Sequence, residues 1–377
     1  MYQRTLETVI SKRLFKGKVF IIVGARQVGK TTLALIIITK SMKKDVISFN
    51  CDNFDDREKL SNINLVFLKN LIGDSKIIFI DEGQKIGNIG QTLKILADYY
   101  KASKQIIVTG SSSFNLLYKT QESLTGRKFV YNLFPLSLSE IFGENNLLEL
   151  DKELENILVY GLYPDVVNQK SFKDKRRVLK EIASSYLYKD ILEFQNVKSS
   201  DLLMRILKAI SFQIGQEVSY YELSRLIGLD LRTVERYISL LEQCFVIFRL
   251  PPYFKNKRKE ISKMNKIYFY DIGIRNALID NFNGLNNRND IGQLFENLMI
   301  VERFKQREYK ENYATQYFWR SYDGAEIDLV EEKGGRLYGF EFTYNPKRRK
   351  SIPSLWKEYK NTSLKIISRQ NLKGFII

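Results

Sequence analysis

The sequence predicts an α/β protein whose first part folds as a doubly wound parallel sheet. Residues 1 to about 145 alternate short apolar runs with amphipathic segments of helical periodicity, which is the pattern of such a sheet. A glycine-containing loop separates the first apolar run from the first helical segment. From residue 147 the pattern becomes mainly helical, and a chain of 377 residues has room for two or three domains.

Five apolar runs are the predicted strands of the sheet. Amphipathic segments such as Gln91–Tyr100 lie between them, so the strands are expected to run parallel with helices packed on the sheet. The predicted strands are Val19–Val23, Val46–Phe49, Ile77–Ile80, Gln105–Thr109 and Phe129–Leu133.

The stretch Gly24–Thr31 matches G-x-x-x-x-G-K-[ST] and stands between a predicted strand and a predicted helix. Its glycines let backbone N–H groups turn toward an anion, and the helix that follows adds its positive end. This context predicts a phosphate-binding loop for ATP, with Lys30 at the β- and γ-phosphates and Thr31 as a ligand of Mg²⁺. The predicted nucleotide-binding residues are Gly24, Ala25, Arg26, Gln27, Val28, Gly29, Lys30, Thr31 and Thr32.

A phosphate loop calls for a carboxylate at the end of another strand. The run Ile77–Ile80 is followed by Asp81 and Glu82, some fifty residues after the loop. Asp81 is predicted to hold Mg²⁺ because the ion prefers hard oxygen ligands. Glu82 is predicted to polarise the attacking water.

Two further residues are candidates for the hydrolysis site. Ser111 follows the strand Gln105–Thr109, and its hydroxyl is predicted to orient the water or sense the γ-phosphate, with helix capping as the alternative. Arg127 is predicted to neutralise transition-state charge, from the same chain or from a neighbouring subunit of a homo-oligomer. An ordinary surface arginine is the alternative.

Composition narrows the function classes. The net charge of +17 favours an acidic partner, first of all nucleic acid and second an anionic membrane surface. A basic surface that serves only solubility is the alternative. The absence of histidine excludes histidine-dependent nucleophiles and histidine-ligated metals. Cys51 and Cys244 lack metal-like spacing and fit a reducing cytosol. The polar start is no signal peptide, and the longest apolar runs are too short to span a membrane, so a cytoplasmic protein without membrane contact is expected.

Several motifs resemble those of a family of archaeal and bacterial AAA-type ATPases, and the resemblance spans nearly the whole chain. It implies a P-loop sheet of the AAA+ type, then a helical and winged-helix region, then an α/β domain similar to restriction endonucleases. The expected domains are an ATPase core at 1–145, a helical connector at 146–213, a winged helix at 214–280 and the terminal domain at 285–377. The motifs are Gly24–Thr31, Ile80–Gln84, Thr109–Ser112, Ser123–Arg127, Phe134–Ser137 with Glu140, Gly161–Pro164 and Lys266–Gly273.

Residues 214 to 275 predict a helix-turn-helix followed by two strands. Ser219 fits a capping box, and the second helix, Leu231 to Gln243, buries Val234, Ile238 and Leu241. The predicted DNA-contacting residues are Arg232, Thr233, Arg236 and Tyr237 on that helix and Lys255, Lys257, Arg258 and Lys259 on a basic arm that ends at Lys266. A protein-docking module with a solvated lysine loop is the alternative.

In the terminal domain, the resemblance implies a metal site at Glu296, Asp328 and Glu341. The lysine of the family's E-x-K motif falls at position 343, which is Thr343, so the site is expected to be vestigial and cleavage of DNA is not expected. The sequence therefore predicts an Mg²⁺-dependent ATPase that engages DNA in repair, recombination or mobile-element defence. A slow ATPase switch that binds a protein partner, or a metal-dependent nuclease, is the alternative.

Overall fold

The computed structural model describes residues 2–41, 45–111, 113–143, 146–192, 200–254, 264–347 and 352–376. The chain forms two compact units. The first contains Met1–Pro135 with Gln243–Phe245, and the second contains Leu136–Glu242 with Val246–Ile377. The predicted end of the ATPase core at residue 145 therefore lies ten residues beyond the main boundary. The finer divisions predicted at 213 and 280 stay predictions.

The first unit contains a five-stranded parallel sheet in the order β2-β3-β4-β1-β5. All five predicted strands are confirmed, with ends shifted by at most one residue. All five side chains of the first strand are buried, as expected for a strand covered on both faces. The strands are β1 (Val19–Val23), β2 (Val46–Asn50), β3 (Ile77–Asp81), β4 (Gln105–Gly110) and β5 (Lys128–Asn132).

The described residues of this unit contain six α-helices. Asn53 and Asn64 are the N-caps of two of them, because each side chain accepts hydrogen bonding from the N–H groups of the first turn. The helix after the glycine loop begins at Lys30, so its N-terminus lies at the carboxyl edge of the sheet. The helices are α1 (Thr5–Ser11), α2 (Lys30–Lys40), α3 (Phe54–Ser61), α4 (Leu65–Ile72), α5 (Ile89–Tyr100) and α6 (Ser113–Gln121).

The second unit begins with helices and continues into a small sheet. The order after the first helices is helix, strand, helix, helix, strand, strand, and the antiparallel sheet has the order β6-β8-β7. The two-residue strand β6 was not predicted. The elements are α7 (Leu138–Phe142), α8 (Leu147–Tyr160), α9 (Pro164–Val167), α10 (Phe172–Leu192), α11 (Ser200–Phe212), β6 (Glu217–Val218), α12 (Tyr220–Ile227), α13 (Leu231–Gln243), β7 (Ile247–Leu250), β8 (Asn265–Phe269) and α14 (Ile272–Leu278).

The terminal part of this unit contains a mixed four-stranded sheet in the order β12-β11-β10-β9. The central strand β10 is antiparallel to both neighbours, whereas β11 and β12 are parallel. Trp319, Ile327, Val330 and Trp356 lie in its hydrophobic core. The elements are α15 (Ile291–Tyr309), β9 (Thr315–Arg320), β10 (Glu326–Lys333), β11 (Arg336–Thr343), α16 (Ser354–Lys357), β12 (Thr362–Ser368) and α17 (Lys373–Ile376).

Two of the motifs that carry the family resemblance meet at one buried carboxylate. Asp271 accepts hydrogen bonds from the N–H groups of Leu162 at 2.7 Å and Ile274 at 3.1 Å. Gly161 has a φ of +70°, and a Cβ there would lie 2.2 Å from the Asp271 Oδ1 atom. Burial raises the pKa of Asp271. Asp271 therefore joins the segment at Gly161–Leu162 to the segment that begins α14. Any residue other than glycine at position 161 would be strained.

A buried ion pair has a similar structural role. Glu302 and Lys305 lie one turn apart on α15, with 2.8 Å between Oε1 and Nζ. Glu302 accepts from the Leu138 N–H, and Lys305 donates to the Leu136 carbonyl. These bonds hold the start of α7, whose capping box is formed by Ser137 and Glu140.

None of the helices in the described ranges has an apolar stretch long enough to cross a bilayer.

Candidate functional site

The glycine loop packs tightly against the backbone that follows β5. A Cβ at Gly24 would lie 2.1 Å from the Leu133 carbonyl oxygen, so only glycine fits there. Gly29 has a φ of +93° and forms the N-cap of α2. Arg4, which the sequence analysis did not select, donates from Nη1 to the Val28 carbonyl and from Nη2 to the Phe134 carbonyl. The loop is therefore held in place from outside the motif.

Lys30 lies at the first position of α2 and is 5% exposed. Its Nζ donates to the carbonyl oxygens of Gly24 at 3.1 Å and Ala25 at 2.8 Å. The ammonium group is thus held within the loop itself. This is the arrangement expected of a lysine that binds the phosphates of a nucleotide.

The predicted Mg²⁺ ligands, Thr31 and Asp81, are in direct contact. The Thr31 hydroxyl donates to Oδ1 and Oδ2 of Asp81 at 2.9 and 3.0 Å. Thr109, at the end of β4, also donates to Asp81. A hydroxyl and a carboxylate at this edge are hard oxygen ligands, so the residues present fit Mg²⁺ beside nucleotide phosphates.

Glu82 belongs to a small hydrogen-bonded network. Its φ of +54° turns the chain away from β3 into a short 3₁₀ helix, and its N–H donates to Thr109 Oγ1 at 3.2 Å. Gln84 Nε2 donates to Glu82 Oε2 at 2.5 Å and to Ser111 Oγ at 3.0 Å. The structure thus brings Glu82 and Ser111 together through Gln84, which the sequence analysis included in a motif without giving it a role.

Cys51 lies close to this network and is a buried free cysteine. Burial, with further contributions from Asp56, Asp81 and Glu82, raises the pKa of the Cys51 thiol to about 12. The thiol therefore stays protonated at neutral pH and is a poor nucleophile.

Arg127 does not lie at the nucleotide edge, which corrects its predicted role within the same chain. It precedes β5, and its carbonyl accepts from the N–H of Val19, the first residue of β1. The loop follows the other end of β1, about 16 Å away for five residues of extended strand. The Arg127 side chain pairs with Asp98 at 2.5 Å. A role across a subunit interface stays a prediction.

The predicted DNA-contacting residues of α13 divide into two groups. Arg232 and Arg236 are exposed, whereas Thr233 is half-buried and donates to Asp230 from both its N–H and its hydroxyl. Tyr237 is only 2% exposed, so its predicted contact with DNA is wrong. It extends the apolar stripe of Val234 and Ile238. The predicted contacts Lys255, Lys257, Arg258 and Lys259 lie outside the described residues.

The predicted vestigial metal residues line a cleft of about 950 Å³ in the second unit. Glu296 comes from α15, Asp328 from β10 and Glu341 from β11, and Asp328 accepts from the Phe342 N–H at 2.7 Å. Thr343 donates to the Asn345 carbonyl. Across the described ranges, no three acidic or cysteine side chains are grouped so that they could hold a metal ion.

A lysine from another part of the chain lies in this cluster instead. Lys266, which the sequence analysis assigned to the basic arm, is 3% exposed on β8. Its Nζ is 3.3 Å from Glu296 Oε1 and contacts the carboxylate of Glu326. The three predicted carboxylates are therefore not grouped to hold a metal ion, and the ammonium group of Lys266 lies beside Glu296 instead. Glu326 and Lys266 were both missed as members of the cluster.

The charges of the cluster perturb one another. Burial raises the pKa of Glu296, although Lys266 opposes this. Burial lowers the pKa of Lys266, but attraction to Glu296, Glu326 and Asp328 outweighs it, so that the pKa ends above its ordinary value. Tyr268 donates to Glu296 at 2.6 Å, and burial raises the pKa of its hydroxyl strongly. Lys266 is therefore charged at neutral pH.

Comparisons with known families divide the chain into three segments. Residues 16–142 match the AAA domain family. Residues 151–285 match a domain of unknown function, DUF8612, and residues 291–373 match another, DUF4143. The first match agrees with the glycine loop, the Thr31–Asp81 contact and the strand order, so the chain contains a P-loop domain of the AAA type.

Whole-chain relatives come from distant organisms. An uncharacterised protein of Methanocaldococcus jannaschii is 28% identical, over 97% of this chain and 85% of the relative. An uncharacterised protein of Mycobacterium tuberculosis is 27% identical, over 92% of this chain and 74% of the relative. Among solved structures, a Walker-type ATPase of Pyrococcus abyssi aligns over 73% of this chain and 94% of its own, with 14% identity and a TM-score of 0.48.

Proposed function

We propose that this protein is an Mg²⁺-dependent ATPase whose hydrolysis is coupled to binding of DNA. The observation that carries the ATPase assignment is the contact between Thr31 and Asp81, two residues fifty positions apart that meet beside Lys30. A nucleoside triphosphate with Mg²⁺ requires a hydroxyl, a carboxylate and an ammonium group from the protein, and this loop and strand end provide all three.

Each group has a separate task in this reaction. Lys30 and the loop N–H groups would bind the phosphates. Thr31 and Asp81 would hold Mg²⁺, which would supply positive charge beside the phosphate oxygens. Glu82 orients and polarises the attacking water, and Gln84 fixes the position of the Glu82 carboxylate through its 2.5 Å hydrogen bond.

Replacement of Lys30 tests the ATPase assignment. Lys30→Ala removes the cation that binds the phosphates, so we expect ATP turnover to fall by about 10²-fold or more. The control is Lys94→Ala, at an exposed position on α5 of the same unit, which should stay within about twofold of wild type. Turnover by Lys30→Ala at the wild-type rate would contradict the proposal.

The DNA proposal rests on charge and on one helix. The chain has a net charge of +17, and Arg232 and Arg236 project from α13 on an exposed face. The order of elements from α11 to β8 supports a winged helix, a fold in which the second of two successive helices contacts DNA. We propose that α13 has this role.

A salt titration with two double variants tests the DNA proposal. Affinity for duplex DNA should fall steeply between about 50 and 200 mM salt, because phosphate contacts release counterions. Arg232→Ala/Arg236→Ala should weaken binding at low salt by about tenfold or more. Lys173→Ala/Arg177→Ala on α10 is the control, since it removes two exposed cations at the same helical spacing. An equal loss of DNA affinity in both double variants would contradict a specific role of α13 and indicate unspecific attraction by net charge.

One observation favours a second candidate function, an ATPase switch that binds a protein. Tyr221 and Leu226 on α12 and Leu231 on α13 are large apolar side chains exposed by 62%, 67% and 42%. Exposed apolar side chains of this size are typical of protein-docking surfaces. An absence of measurable DNA binding at 50 mM salt, by a chain that hydrolyses ATP, would favour this candidate.

A further inference from the structure

The cleft in the second unit contains a buried lysine in contact with two carboxylates of its lining. Lys266 is the second residue of β8, where it pairs with Glu217 of β6 and Leu250 of β7. Its side chain extends to α15 and β10, where it contacts Glu296 and Glu326. One cation thus contacts carboxylates from two elements that are 30 residues apart.

The surroundings of Lys266 are those of a permanently charged group. The side chain is 4% exposed, and its Nζ lies 5.4 Å from the centre of the Phe318 ring. Glu296 also accepts the Tyr268 hydroxyl, so that its position is fixed from β8 as well as from α15. Buried carboxylates are stable only when a cation or several hydrogen-bond donors compensate them. Lys266 supplies that cation.

We propose that Lys266 is a built-in counter-ion that replaces a divalent metal in this cluster. The terminal part of the chain is thereby assembled and stable without a metal ion. Glu296, Glu326 and Asp328 are not grouped for a metal ion while Lys266 is present. After removal of the ammonium group, their side chains should close around a divalent cation. The proposal does not rest on the ATPase assignment, because every residue involved lies in the second unit.

Binding of Mn²⁺ to the full-length protein without nucleotide tests this proposal. We expect wild type to show no Mn²⁺ binding in the cleft up to the highest concentration tested, and Lys266→Ala to bind one additional ion with a Kd at least tenfold below that concentration. Lys266→Ala/Glu326→Gln should lose this gain, because it lacks a carboxylate that faces the ion. All three proteins keep the nucleotide loop intact, so any Mn²⁺ held there contributes equally.

Thermal unfolding provides a second measurement and a matched variant. Mn²⁺ should raise the unfolding temperature of Lys266→Ala but not that of Lys266→Met, whose thioether chain fills the space with apolar atoms. Lys266→Arg should keep the stability without metal. Wild-type Mn²⁺ binding that Glu326→Gln abolishes would overturn the proposal and favour a metal-dependent nuclease with Lys266 as its lysine. Lys266→Ala that gains no Mn²⁺ binding, whether folded or unfolded, would also overturn it.

Discussion

Two buried lysines have opposite surroundings in the two units. Lys30 donates to carbonyl oxygens of the glycine loop, whereas Lys266 contacts the carboxyl groups of Glu296 and Glu326. The contacts of Lys30 hold its ammonium group in the loop that is proposed to bind phosphates. A lysine held by carboxylates is neutralised within the protein and stabilises the fold. Burial and residue type alone therefore do not separate a binding lysine from a structural one.

The largest expected effect concerns the nucleotide side of this comparison. Glu82→Gln removes the carboxylate that is proposed to polarise water but keeps the shape of the side chain. We expect turnover to fall by about 10² to 10⁴-fold while ATP still binds. Steady-state hydrolysis and equilibrium ATP binding measure the two quantities, with Glu58→Gln on the exposed face of α3 as control. Parallel loss of binding and turnover would show that Glu82 acts on the fold instead.

The next effect concerns the structural lysine. Lys266→Met leaves Glu296 and Glu326 without their cation, so the free energy of unfolding should fall by about 3 to 5 kcal/mol. Urea denaturation measures this, and Lys333→Met, at an exposed position on β10, should stay within about 0.5 kcal/mol of wild type. ATP turnover per folded molecule should not change. A loss of turnover without a loss of stability would contradict the contrast between the two lysines.

A smaller effect is expected at Gln84. Gln84→Ala removes the amide that joins Glu82 to Ser111, so turnover should fall by about tenfold while KM for ATP stays within about twofold. Gln91→Ala, exposed on α5, is the control. An equal change in KM and turnover would indicate that Gln84 supports the nucleotide loop and does not position Glu82.

The smallest effect is expected at Arg127. Its pair with Asp98 is exposed, and such pairs contribute about 0 to 1 kcal/mol. Arg127→Ala should therefore change turnover by less than about twofold at concentrations where a mass measurement finds monomers. A much larger loss that appears only in an ATP-dependent oligomer would establish the predicted role across a subunit interface.

The parts of the molecule that were predictable from sequence are the local ones. The strands, the loop and the Thr31–Asp81 pair follow from short patterns that contain both the residue types and their order. Burial of Tyr237 was also accessible, since it lies three residues after Val234 on the same helical stripe. Its tyrosine hydroxyl suggested a polar role that the helix geometry does not allow.

The parts that could not be predicted depend on tertiary contacts. Lys266 stands in a lysine-rich stretch, where sequence gives no reason to separate it from its neighbours. Only the pairing of β8 with β6 and β7 directs it to carboxylates 30 and 60 residues further along the chain. Arg4 is similar, because its partners Val28 and Phe134 lie 24 and 130 residues away.

The tight contact of Gly161 with Asp271 has a consequence for large-scale mutagenesis. Consider a scan of every single substitution that is selected only for activity in cells. Positions 161 and 271 should tolerate as few substitutions as positions 24 and 30, because any side chain at 161 would displace the Asp271 carboxylate. The scan would then give the same low tolerance for the Gly161–Asp271 contact and for the glycine loop, although the two have different roles. A parallel measurement of protein abundance would separate them, since variants at 161 should disappear from the cell whereas Lys30 variants should accumulate normally.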